Sequence, residues 1–226
     1  MLKEEILDIL STSKPLGWVL EPHAKRILTL AGMDTSQFIW TTEVEEAVKY
    51  ARDLGYPVVA KVVSPKILHK SDKQGVVVRI RTDEALRETF RRFSQMEGFA
   101  GILVDEMVSG MELIIGAKID DQFGPVILLG IGGTSVEIYK DVTLRMAPLG
   151  SKDTESMMKC LKAHQLLEGY RGSKPVDAGK LSQLLVSFSI LAVDLQEQVE
   201  SIDLNPVMCS STRCVVADSR IMLKKE

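Results

Sequence analysis

The stretch Gly55-Tyr56-Pro57-Val58-Val59-Ala60-Lys61-Val62-Val63-Ser64-Pro65-Lys66-Ile67-Leu68-His69-Lys70-Ser71-Asp72-Lys73-Gln74-Gly75-Val76-Val77-Val78 carries a single lysine inside its first apolar run. It reads as a strand from Val58 to Val63, a polar loop with a histidine, and a second strand, Val76 to Ile80, entered through glycine. Val58, Val59, Val62 and Val63 leave no polar face, as in a strand covered on both sides. A lysine there costs free energy to bury unless an anion or carboxylate meets it. Alternation alone also fits a lysine that snorkels to solvent from a strand end. Its valine neighbours favour a Lys61 that points into a cleft and meets phosphate as a point charge.

Outward from this pair, apolar positions recur at helical spacing from Glu4 to Leu10 and from Ala24 to Leu30, with Gly32 as a C-terminal stop and Ser11 to Gly17 as a loop between them. Thr42 and Glu45 read as a capping box for a helix from Glu43 to Leu54, and Thr82 with Ala85 as the cap of another that runs to about Met96. Arg87, Arg91 and Arg92 read as the solvated face of that second helix. Short strands follow at Gly101 to Met107, Glu112 to Ile119, Pro125 to Gly130 and Thr143 to Pro148, punctuated as hairpins. Helices at about Asp153 to Lys162 and Asp177 to Gln198, then strands around Ser201 to Asn205 and Arg213 to Ala217, complete the chain. The order predicts an α+β fold with two sheet-containing lobes, a small one over about residues 34–108 and a large one from 1–33 with 109–226, and a groove between lobes is a natural ligand site.

The composition narrows the partners. The 226 residues are 45% hydrophobic and 26% charged, an ordinary globular balance. A net charge of −3 and 5% aromatics supply neither the basic footprint nor the stacking platforms of a nucleic-acid binder. Apolar runs such as Val126 to Ile131 are far shorter than the roughly 20 residues of a bilayer span, and the acidic N-terminus has no signal-peptide pattern, so no membrane partner and a cytoplasmic location are expected. Cys160, Cys209 and Cys214 form no C-x-x-C and read as reduced thiols.

Several motifs have the chemistry of a phosphate site, each with a plainer alternative. His69-Lys70-Ser71-Asp72 concentrates donors beyond the lysine strand, or is an exposed hairpin loop. Glu106 and Glu112 flank a short connector whose backbone suits a purine edge, or are two solvated turn acids. Gly130-Ile131-Gly132-Gly133-Thr134 could offer successive N–H groups to an anion, but lacks the ending of a P-loop. Asn205 and Asp218 are oxygen donors of the kind magnesium takes alongside phosphate and water, or are polar turn residues.

Taken in order, the pieces resemble the ATP-grasp module of the nucleoside-diphosphate-forming acyl-CoA synthetase family, in the form of the separate β subunit of ADP-forming acetate–CoA ligases. The resemblance runs through Leu20-Glu21-Pro22-His23-Ala24-Lys25, Gly55 to Lys61, Ser64-Pro65, His69 to Asp72, Glu106-Met107-Val108, Glu112 and Phe123-Gly124-Pro125-Val126. It continues through Gly130 to Gly133, Lys140-Asp141-Val142, Gly169-Tyr170-Arg171-Gly172, Pro175-Val176-Asp177, Asp203-Leu204-Asn205-Pro206 and Asp218-Ser219-Arg220. It implies an ATP-grasp fold with ATP or ADP between the lobes. Lys25 and Lys61 would contact phosphates, Glu106 and the backbone at Val108 adenine, Glu112 ribose, and Asn205 and Asp218 Mg2+. His69 would exchange a phosphoryl group with a phosphohistidine brought by an α subunit that also binds CoA, in an α2β2 assembly. The reaction implied is acyl-CoA + ADP + phosphate = acid + CoA + ATP. A self-contained ATP-grasp carboxylate ligase and a nucleotide-binding regulatory subunit remain as alternatives. Trp18 and Met111 are candidate apolar contacts for a partner. The chain departs from the family where a glycine pair before the second strand becomes Gln74-Gly75.

Overall fold

The structure is a computed structural model, and it describes residues 3–133 and 141–224. In chain order the elements are α1 (Glu4–Ser13), β1 (Trp18–Val19), α2 (Glu21–Leu30), β2 (Phe38–Thr41), α3 (Val44–Leu54), β3 (Val58–Val63), β4 (Val76–Ile80) and α4 (Asp83–Phe93). They continue with β5 (Gly101–Glu106), β6 (Met111–Asp120), β7 (Gly124–Ile131), β8 (Val142–Met146), α5 (Ser151–Cys160), α6 (Ala178–Asp194), β9 (Val199–Cys209), β10 (Cys214–Val216) and β11 (Ser219–Leu223). They form two compact units, residues 36–108 and residues 1–35 with 109–226.

Residues 36–108 build a four-stranded antiparallel sheet in the order β2-β5-β3-β4. Val58, Ala60, Val62, Ile80, Ile102 and Val104 project from one face into a core with Ala47, Val48 and Ala51 of α3 and Leu86 and Phe93 of α4. The cap at Thr82 forms as expected, its side chain accepting from the Ala85 N–H at 3.3 Å. The box expected at Thr42 does not form: Glu43 is the N-cap of α3 with no side-chain cap, and the neighbouring Thr41 hydroxyl accepts from the Glu43 N–H at 3.0 Å while donating to the Glu46 carboxylate. Arg87 is not simply solvated, since it reaches across to the Glu45 carboxylate.

The opposite face of this sheet carries the lysine. Lys61 stands opposite Leu103, and its ammonium donates to Asp105 Oδ2 at 3.1 Å, both residues being buried. The counter-anion that burial demands is thus a carboxylate two positions along β5 from the lysine's partner.

In the other unit a seven-stranded sheet runs β1-β11-β9-β6-β7-β8, with β10 also on β9, all antiparallel. One face, with Leu113, Ile115, Ile127, Leu129, Ile202, Leu204 and Ile221, shares a core with side chains from helices α1, α2, α5 and α6. Helix α1 outruns the expected loop at Ser11 because Thr12 bonds back to the Asp8 carbonyl at 2.9 Å, which keeps the hydroxyl satisfied inside the helix. Helix α6 with Leu195 is long and apolar enough to cross a membrane by length and composition, more than the apolar runs had suggested. Its Leu181, Leu184, Leu185, Phe188 and Leu191 are buried in the core.

The Lys61–Asp105 pair can be tested by urea denaturation. Asp105→Ala takes the carboxylate from a buried ammonium and is expected to cost about 3–5 kcal/mol, whereas the double change Lys61→Met with Asp105→Leu removes both charges and should leave stability near wild type or above.

Candidate functional site

From Ser201 to Cys209, strand β9 pairs with the returning chain in one register. Cys209 faces Cys214 and Val207 faces Val216 on β10, and Leu204 faces Ser219 and Asp203 faces Arg220 on β11. Between the two strands the ladder is kept by the Ala217 N–H on the Pro206 carbonyl at 3.0 Å and the Asn205 N–H on the Asp218 carbonyl at 3.2 Å. Asn205 therefore stands directly opposite Asp218. Because Ile202, Leu204, Ser219 and Ile221 are buried, the alternating positions Asp203, Asn205, Asp218 and Arg220 share the face turned away from the helices. Arg220 donates to Asp203 Oδ2 at 2.9 Å.

Glu112, the second residue of β6, lies on that same face, alternating with buried Leu113 and Ile115. The end of β7 folds over it: the Gly132 N–H donates to the Glu112 carbonyl at 2.6 Å, and a Cβ on Gly132 would lie 2.8 Å from that carbonyl. Only glycine allows this approach. The Ile131 N–H is likewise taken, by the Asp141 carbonyl at 3.2 Å. Two of the N–H groups expected to face an anion are thus engaged within the sheet, which corrects that reading for Ile131 and Gly132; Thr134 and Lys140 lie outside the described residues. Lys25 is fully buried in α2 with its ammonium 3.8 Å from the Glu21 carboxylate one turn earlier. Met111 packs against the core and Trp18 is half-buried; the exposed apolar side chains include Val142, Leu144 and Met146 along β8.

In residues 36–108, Glu106 ends β5 beside Asp105. Its carboxylate accepts from the Gln37 N–H at 3.2 Å and its own N–H donates to the Gln37 carbonyl at 2.8 Å, while the Val108 N–H folds back to the Glu106 carbonyl at 3.1 Å. Tyr50 has its pKa raised by burial first, then by the Asp105 and Glu106 carboxylates. His69 is exposed in the turn between β3 and β4. That turn is stitched by the Lys73 and Gly75 N–H groups on the Lys70 carbonyl, at 3.2 and 2.7 Å, and its base by the Val62 N–H on the Gly75 carbonyl at 2.8 Å. The structure thus joins Asn205 to Asp218 and sets Glu112 on their face. It gives each lysine a carboxylate companion that sequence reasoning had not named for it, and it carries His69 and Glu106 on the other unit.

Residues 12–223 match the family model described as an ATP-grasp domain. The β subunit of acetate–CoA ligase (ADP-forming) I from Pyrococcus furiosus is 39% identical over 98% of this chain and 97% of its own length.

The chain belongs to the ATP-grasp family, in the group of these β subunits.

The 4-hydroxybutyrate–CoA ligase (ADP-forming) of Nitrosopumilus maritimus is also 39% identical over 91% of the chain, which there makes up 31% of a longer polypeptide. Among solved structures, the acetyl-coenzyme A synthetase 1 of Ca. Korarchaeum cryptofilum, in complex with coenzyme A and Mg-AMPPCP and with its phosphohistidine segment pointing towards the nucleotide-binding site, is 39% identical with a TM-score of 0.85. That match covers 97% of this chain and 100% of the other.

Within this ATP-grasp chain the substitution at Gln74 has a measurable consequence. Gln74 has φ +55°, the left-handed region in which a side chain is strained and glycine is not. Gln74→Gly is expected to raise stability by about 0.5–1 kcal/mol, the left-handed strain relieved less the extra entropy of glycine in the unfolded chain. Gln74→Val should lower it. Urea midpoints of the two variants check both directions.

Proposed function

We propose that this chain is the nucleotide-handling subunit of an ADP-forming acyl-CoA ligase, acting in acyl-CoA + ADP + phosphate = acid + CoA + ATP. The observation that carries the reading is its match, nearly end to end, to a separate β subunit of such an enzyme. The β9–β11 ladder supports it by opposing two hard oxygen donors on an open sheet face. In this reading coenzyme A and acyl chemistry sit on an α partner in an α2β2 assembly, in the cytoplasm.

The amide oxygen of Asn205 and the carboxylate of Asp218 fit magnesium, which accepts one or two protein oxygens and fills the rest of its octahedron with phosphate oxygens and water. When bound, the ion would neutralise charge on the phosphates during transfer. Glu112 would hold the ribose, and Glu106 with the backbone around Val108 the adenine. Lys25 and Lys61 would place fixed positive charge near the phosphates, each held in position by its own carboxylate, Glu21 and Asp105. His69 would be the nucleophile. In the direction of ATP synthesis a phosphoryl group passes from a partner's phosphohistidine to the His69 imidazole nitrogen. Its new N–P bond then breaks as the terminal oxygen of ADP forms the P–O bond of ATP. Exposure on a turn suits a side chain that must meet both a nucleotide and a second protein.

Reconstitution with an α subunit tests the division of labour: ATP formation from acetyl-CoA, ADP and phosphate is expected from the pair and not from this chain alone. His69→Asn should abolish it while ADP affinity stays near wild type, because asparagine keeps hydrogen bonding but forms no phosphoramidate. An acid-labile, base-stable label from ATP on the wild type, absent from His69→Asn, identifies the carrier; turnover by His69→Asn sinks the assignment.

A further inference from the structure

The cross-strand pair beside the proposed metal position has a consequence for which ion that position accepts. Asp203 lies two residues before Asn205 on β9, and Arg220 two residues after Asp218, so the four side chains form a two-by-two array on one sheet face. A carboxylate so placed is a natural third oxygen for an ion held at Asn205 and Asp218. It is engaged instead. Arg220 faces it in register and donates to Oδ2 at 2.9 Å, an ion pair between side chains about a third and two-fifths exposed. On its other flank Asp203 faces Gly116 of β6, which brings no side chain to bear, and a Cβ placed there would sit 3.7 Å from Asp203 Oδ1.

The difference between two and three protein oxygens is the difference between two metals. Magnesium keeps several waters and prefers one or two carboxylate or amide donors, while calcium gathers six to eight oxygens and gains affinity with each added carboxylate. We propose that Arg220 is a specificity-determining residue, which by holding Asp203 keeps a third protein oxygen out of the metal position and so favours magnesium over calcium. The inference rests on the assignment of that position to Asn205 and Asp218.

Calorimetric titration of the purified chain with Mg2+ and with Ca2+, each in the presence of ADP, provides the test. Arg220→Gln releases Asp203 and is expected to tighten Ca2+ binding at least about tenfold, with a smaller gain for Mg2+, as an added carboxylate donor does. A merely structural ion pair would give no gain. Adding Asp203→Asn to Arg220→Gln should erase the gain, and Arg220→Lys, which keeps a cation opposite the carboxylate, should hold the wild-type preference. Asp203→Asn alone should leave the Mg2+ to Ca2+ ratio unchanged, and it keeps the proposal testable if Arg220→Gln fails to fold. Unaltered Ca2+ binding in folded Arg220→Gln, a gain that survives in the double variant, or a ratio shifted in Asp203→Asn alone overturns the proposal. Asp218→Asn separates the two levels. If it binds Mg2+ as the wild type does, the metal position is wrong and the inference falls with it; if it loses Mg2+ while Arg220→Gln shows no change, the inference alone falls.

Discussion

An antiparallel ladder fixes which side chains meet, and here one ladder fixes the site. Once Leu204 pairs with Ser219 and Val207 with Val216, no freedom remains at the residues between: Asn205 must oppose Asp218, and Asp203 must oppose Arg220. The hydrophobic alternation of β9 and β11 then decides the side of the sheet, because a slip of one residue would drive Ile202, Leu204 and Ile221 into water and the four polar side chains into the core. The positioning of two oxygen donors thus follows from burial of apolar neighbours on the other face of the sheet. A site so placed is rigid without needing side-chain contacts to hold its backbone.

That logic was partly legible in the sequence. The strands Val58 to Val63 and Val76 to Ile80 stand where the glycine punctuation and the β-branched runs put them. Strand β9 is expected only around Ser201 to Asn205, and proline does not donate to a ladder. It continues to Cys209 because Pro206 still offers its carbonyl to Ala217, and because the ladder to β6 shifts register between Leu113 and Ile115, at the same place. Strand β2 was missed: Phe38 to Thr41 is four residues long and only its last is buried, too little for a period to show. Asp105 had a signal that went unused. An acid in Gly101-Ile102-Leu103-Val104-Asp105 poses the same burial problem as Lys61 among its valines, and two opposite charges in two apolar strands are each other's most economical answer. Arg220 left no such trace, since an arginine next to a polar turn is unremarkable until the register is known.

The two lysines change meaning once their neighbours are seen. Read from sequence, buried Lys61 asks for an anion or a carboxylate; in the structure Lys61 and Lys25 each have an internal carboxylate, at 3.1 and 3.8 Å. This does not compete with a phosphate role. A buried ammonium costs free energy unless an opposite charge meets it. A carboxylate beside it offsets that cost and fixes where the ammonium points before any ligand arrives. Electrostatic catalysis of phosphoryl transfer depends on charges that are already in place when the transferring group moves. His69 sits at the other extreme, exposed and on a turn. The group proposed to form and break a bond lies on an exposed turn, while the charges proposed to steady the phosphates are held within strand and helix.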